Sequence, residues 1–94
     1  MCTEMRQVHL RVTYRDDGTP FAAYLHLPGK PNEKRAECRR VEPGMILDIS
    51  KEGKLIGIEL TAPLLVTLGD INRVLKEYGM EPIKEATLKP LVAA

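Results

Sequence analysis

The chain has 94 residues, 44% of them hydrophobic and 29% charged, and its formal net charge is +1. Such a length holds one domain with a modest core, and such a balance excludes a disordered chain, a membrane span as the main element and a globally basic nucleic-acid binder. Two cysteines, Cys2 and Cys38, are too few for a disulfide framework. Residues 1–7 lack the apolar centre of a signal peptide, so a reduced, cytoplasmic protein is expected, with Cys2 in a mobile terminus.

Val8, Leu10, Val12 and Tyr14 alternate with His9, Arg11 and Thr13, the period of a half-buried strand over residues 8–14. Phe21, Ala23, Leu25 and Leu27 repeat the alternation over 21–27, and the Asp-Gly pair of the intervening RDDGTP signals a turn. Pairing Tyr14 with Phe21 in this hairpin places His9 opposite His26. The PGKPNEK stretch at 28–34 is a loop, and 35–41 is a strand whose few apolar members, Ala36, Cys38 and Val41, suit a sheet edge. Residues 30–40 are locally basic, and that density fits a solvated edge better than a phosphate stripe.

After the EPG turn at 42–44 comes a second hairpin, 45–50 with 54–60. Burying Met45, Leu47 and Ile49 with Ile56, Ile58 and Leu60 requires Ile49 to face Lys54 across a four-residue loop, Ser50 to Gly53, in which Gly53 takes the left-handed conformation. A three-residue loop would bury the Asp48 carboxylate instead. The opposite face then holds Ile46, Asp48, Leu55, Gly57 and Glu59.

Beyond Pro63 the period becomes helical: Leu68, Ile71, Val74, Leu75 and Tyr78 share a face over residues 67–78. Thr67 is the N-cap, Asp70 follows at the capping-box position and Gly79 is the stop. A short helical turn is expected near 84–89, closed by Pro90, with Ile83, Leu88 and Leu91 free to cap the domain or reach a second subunit. The expected fold is α+β: one domain over residues 1–94, an antiparallel sheet of about five strands built from two hairpins and an edge strand, with the C-terminal helix on one face.

Several residues invite a chemical reading. The cross-strand pair His9 and His26 could share a metal ion, though two isolated ligands fall short of a coordination set and ordinary strand surface is the competing reading. Asp48 and Glu59 could serve as an acid and base pair only in a cleft that excludes water, which nothing in the pattern predicts. Gly57 between them could admit a neighbouring side chain or mark a bulge. Cys38 has no evident base, the single-glycine turns are no phosphate loop, and the sparse aromatic set, with Tyr24 outward, is no base-stacking platform.

The segments AAYLHL, VEPGMILDISKEGKLIGIEL and TLGDINRVLKEYGMEPI resemble, in that order, the family known as domain of unknown function 2283, small prokaryotic proteins. The resemblance runs over most of residues 8–91, and its most specific part is the spacing of Gly44, Asp48, Gly53, Gly57, Ile58 and Glu59. Ala22 stands where the family commonly has an acid before the Ala of its first hairpin. The resemblance implies a small antiparallel sheet with a helix, no assigned reaction and no cofactor, and it suggests a protein partner such as a toxin-like ribonuclease inhibited in antitoxin fashion.

The expected function is therefore a non-enzymatic interaction module, a homodimer working through a sheet surface or edge, with nucleic acid and membrane disfavoured as partners. Candidate contact residues are Tyr24, Ile46, Asp48, Gly53, Leu55, Gly57 and Glu59. The alternatives are a metal-binding protein using His9 and His26 and a small enzyme using Asp48 and Glu59. If the helix and the tail cover opposite faces of the sheet, no contact surface is left.

Overall fold

Each alternating segment becomes a strand, because alternation turns one face of a pleated chain to a shared apolar layer and the other to water. The computed structural model describes residues 8–28 and 34–92. Its strands are β1 (His9–Tyr14), β2 (Pro20–His26), β3 (Arg35–Val41), β4 (Met45–Ser50) and β5 (Leu55–Leu60). The described residues form a five-stranded sheet in the order β1-β2-β5-β4-β3 with every neighbouring pair antiparallel. The two hairpins thus meet along β2 and β5, with Leu25 opposite Ile58 and Ala23 opposite Leu60.

Helix α1 (Leu68–Glu77) begins at Thr67, whose side chain accepts from the Asp70 N–H while Asp70 accepts from the Thr67 N–H. At the other end Gly79, at φ +71°, lets the Met80 N–H reach the Leu75 carbonyl and its own N–H the Lys76 carbonyl. The helix buries Ile71, Val74 and Leu75 against Leu25, Leu47 and Ile58 of the sheet in one apolar cluster. The C-terminal segment joins the same cluster: Ile83, Leu88 and Leu91 are buried, so the tail packs on its own chain. Asn72 of α1 fixes the start of that segment, accepting from the Ile83 N–H at 2.8 Å and donating to the Ile83 carbonyl at 3.3 Å.

The tail differs from the expected turn in one respect. A 3₁₀ turn spans Glu85–Leu88, but Pro90 lies inside the following short helix α2 (Lys89–Val92) and does not close the segment. Proline fits the first turn of a helix, where its missing N–H has no intrahelical partner to lose.

Two registers differ from the simple alternation. In the second hairpin Met45 faces Leu60, Leu47 faces Ile58 and Asp48 faces Gly57, whereas Ile49 faces Leu55 and not Lys54. The loop is the three-residue Lys51-Glu52-Gly53: the Ser50 N–H donates to the Lys54 carbonyl, Gly53 sits at φ +84°, and the Ser50 hydroxyl accepts from the Lys54 N–H. Asp48 nevertheless stays on the outer face, because a bulge at Ile56 absorbs the extra residue. The price of that correction is a swap on β5: Leu55 is buried at 1% exposure and belongs to the core, while Ile56 is only half-buried.

In the first hairpin His9 faces His26, but a second irregularity pairs Tyr14 with Pro20 and not with Phe21. Tyr14 and Phe21 are therefore 46% and 55% exposed, outside the core the alternation assigned them to. Each finds a surface partner: the Tyr14 hydroxyl donates to the Pro90 carbonyl at 3.0 Å, and the Arg15 guanidinium lies 5.2 Å from the Phe21 ring centre. The expectations placed on Cys2 and on most of the 28–34 loop lie outside the described residues.

Candidate interaction face

Helix, 3₁₀ turn and tail all pack on one side of the sheet, which leaves its other side uncovered among the described residues. The registers order that outer face into rows that cross all five strands. One row runs Arg11, Tyr24, Glu59, Ile46, Arg40, and the next runs His9, His26, Gly57, Asp48, Cys38.

Tyr24 does not stand upright in its row. Its phenol leans diagonally across β5 and donates to Asp48 Oδ2 at 2.7 Å. Gly57 is what permits this: a Cβ built there would collide with the Tyr24 ring and hydroxyl. The suggestion that Gly57 admits a neighbouring side chain is thus borne out, while the bulge of this hairpin sits one residue earlier. Asp48 also receives the Cys38 thiol, with Sγ 3.7 Å from Oδ1, and the Arg35 guanidinium, with an N–O distance of 3.5 Å. Burial, and then the hydrogen bond to a carboxylate, push the Tyr24 phenol well above its ordinary range, so it remains a proton donor at any physiological pH.

The histidines continue the same network toward β1. His9 and His26 stack with ring centres 4.3 Å apart and planes 8° from parallel, and the Tyr24 ring meets His26 edge-on at 4.6 Å. Among the described residues no group of three or more His, Cys, Asp or Glu side chains is placed to hold a metal ion. Asp48 and Glu59 occupy different rows: Glu59 lies opposite Ile46 and Tyr24, whereas Asp48 lies opposite Gly57 and Cys38. The Asp48 carboxylate is occupied by two hydrogen-bond donors and an ion pair and does not face Glu59 as an acid would face its base.

Of the residues read as candidates, Tyr24, Ile46, Asp48, Gly57 and Glu59 share this face with His9 and His26. Gly53 lies in the adjoining turn, and Leu55 lies in the core. Sequence reasoning missed Arg35 and Cys38 as partners of Asp48. The pairing of β3 with β4 that would reveal them follows from the EPG turn, but the bulge between Arg35 and Glu37 that brings Arg35 alongside does not.

Residues 22–62 match the family model described as Protein of unknown function (DUF2283). Over that stretch the chain is similar to the DUF2283 family. The matched span is shorter than the resemblance read over 8–91: it covers β2 to β5 and leaves out β1, α1 and the tail. No curated protein and no solved structure matches the chain. The glycines of the DUF2283 pattern have separate physical duties here. Gly57 clears the path from Tyr24 to Asp48, while Gly44, at φ +59°, turns the chain where an added Cβ would meet Ala62 Cβ at 2.9 Å. No helix among the described residues is long and apolar enough to cross a membrane.

Proposed function

We propose that the chain is a non-catalytic interaction module that meets a protein partner through the outer face of its sheet. One observation carries this reading: both helices pack on the opposite side, so five strands present a broad surface on which the side chains are already locked to one another. A surface ordered in advance has little rotamer entropy left to lose on association. Ile46 gives it a half-buried apolar centre beside Glu59 of the central strand, and Arg11 and Arg40 on the outermost strands give it a charged margin, the arrangement of a small interface. The engagement of Asp48 with Tyr24, Cys38 and Arg35 favours this reading over the acid and base pair.

The test is co-expression with the product of a neighbouring gene, the antitoxin-like arrangement being the case the family resemblance suggests. Co-elution that Ile46→Arg and Glu59→Arg abolish, with the melting temperature of each variant close to that of the parent, is the expected result. Co-elution indifferent to both substitutions would move the contact elsewhere and overturn the proposal.

A further inference from the structure

The sheet has two edges, and they are treated differently. Beside β1 lie the 3₁₀ turn and α2, and the Tyr14 hydroxyl is tied to the Pro90 carbonyl. β3 has no strand on its outer side among the described residues, and Arg35 through Arg40 are exposed. An edge strand so placed presents unpaired backbone donors and acceptors, and charged side chains decide which strands can use them.

The charges on β3 decide this in a specific way. Two copies joined edge to edge about a two-fold axis perpendicular to the sheet run antiparallel, and residues directly opposite must lie on the same face. Such a dimer therefore centres on a single residue. Centring on Glu37 sets Glu37 against itself and Arg35 against Arg39; centring on Arg39 or Arg40 sets that arginine against itself. Centring on Ala36 or Val41 also avoids like pairs, but Ala36 is the bulged residue of the β3–β4 ladder and Val41 ends the strand, so neither offers a regular run on both sides. Within the regular stretch only the Cys38 centre removes every like pair: Glu37 meets Arg39 of the second copy, twice by symmetry, while Arg35 meets Val41 and Ala36 meets Arg40. The β3–β4 ladder is regular from Glu37 to Val41, so the central residues are flat enough to pair. Arg39 is also held in place, its guanidinium donating to the Tyr78 hydroxyl at 3.0 Å and bridging Glu37 of its own strand at 3.2 Å.

We infer that the protein forms a two-fold dimer by antiparallel pairing of β3 with β3 of a second copy, centred on Cys38. The Glu37–Arg39 pairs within each strand exchange for pairs between strands, and the two outer faces join into one continuous surface across ten strands. The Cys38 thiols of the two copies then lie opposite one another, at the roughly 5 Å side-chain separation of cross-strand neighbours, within reach of a disulfide. This inference rests on the edge and not on the outer-face contact proposed above.

The test uses the full chain with Cys2→Ser. In reducing buffer, light scattering at micromolar concentration is expected to give twice the 10.5 kDa chain mass. Glu37→Arg and Arg39→Glu each replace both attractive contacts with repulsive ones and weaken the dimer by about tenfold or more. Mixing the two variants in equal amounts restores a dimer, because every Arg then faces a Glu. Diamide, which takes one hydrogen from each thiol of a pair and is reduced to its hydrazide, is expected to link the parent dimer through Cys38 and to leave each single variant unlinked. A parent of single-chain mass, or single variants that dimerise as well as the parent, would overturn the inference while leaving the outer-face reading to its own test. Glu37→Arg leaves the Tyr78 contact intact, so its result stands if Arg39→Glu proves poorly folded.

Discussion

At the scale of single residues, the outer face depends on one missing side chain. Gly57 is the floor over which Tyr24 crosses to Asp48, and a methyl group there forces the ring off its path. Gly57→Ala is expected to destabilise the fold by about 1–3 kcal/mol, the range for overpacking, read as a lower urea midpoint. The same substitution in a Tyr24→Ala background should lose most of that penalty, and strict additivity of the two would refute the assigned contact. The Tyr24 hydroxyl also makes a specific demand on pH. Its folded-state affinity for the proton is raised above the ordinary 10.0, first by burial and then by Asp48. Its contribution is therefore complete below pH 10.0, where the unfolded phenol titrates, and is lost as pH climbs from there toward the raised folded value. Tyr24→Phe is expected to lose about 1–2 kcal/mol at neutral pH and to show a flatter alkaline unfolding curve than the parent.

At the scale of elements, the second hairpin shows how a local irregularity overrides a periodic pattern. Strict alternation buries Ile56; the bulge buries Leu55 instead and keeps Asp48 on the outer face, out of the apolar core. Leu55→Ala is accordingly expected to cost about 2–5 kcal/mol, as for other large-to-small changes in a core, and Ile56→Ala distinctly less, measured by denaturant unfolding. Equal losses would restore the unbulged register. The strands, helix α1 and its capping box were legible in the sequence, because alternation, a helical stripe and the Thr67-to-Asp70 spacing are properties of neighbouring residues. The bulges were not, since the isolated segment DISKEGKLIGIEL is compatible with either loop length. What selects between them is where Leu55 and Ile58 meet β2, β4 and the helix. The same holds for Pro90: a proline rule tells where a helix cannot continue, not that a new one starts one residue earlier.

At the scale of the whole molecule, the sheet is a slab covered on one side, within overall dimensions of 41 × 31 × 22 Å. The alternative in which helix and tail clothe opposite faces fails because Leu88, Leu91, Val74 and Leu75 all enter one cluster with β2, β4 and β5. Sheet order was the step that sequence reasoning lacked. Both hairpins could be drawn separately, and the His9 and His26 pairing follows from the first alone, but the Tyr24, Gly57 and Asp48 relation exists only once β2 lies beside β5. That is a contact between segments more than twenty residues apart, and nothing local to either announces it. The candidate face was therefore visible as a list of residues and invisible as an arrangement.

The amide of Asn72 grips a stretch of main chain as a neighbouring peptide would, giving and taking one hydrogen bond at Ile83. It works as a buckle: everything downstream, including the apolar patch at Leu88 and Leu91, lies on a strap whose near end is fastened at this point. Asn72→Ala should unfasten it, so that trypsin cuts after Lys84 sooner than in the parent while the sheet resists digestion. Unchanged cleavage times would mean that the leucines alone hold the strap shut.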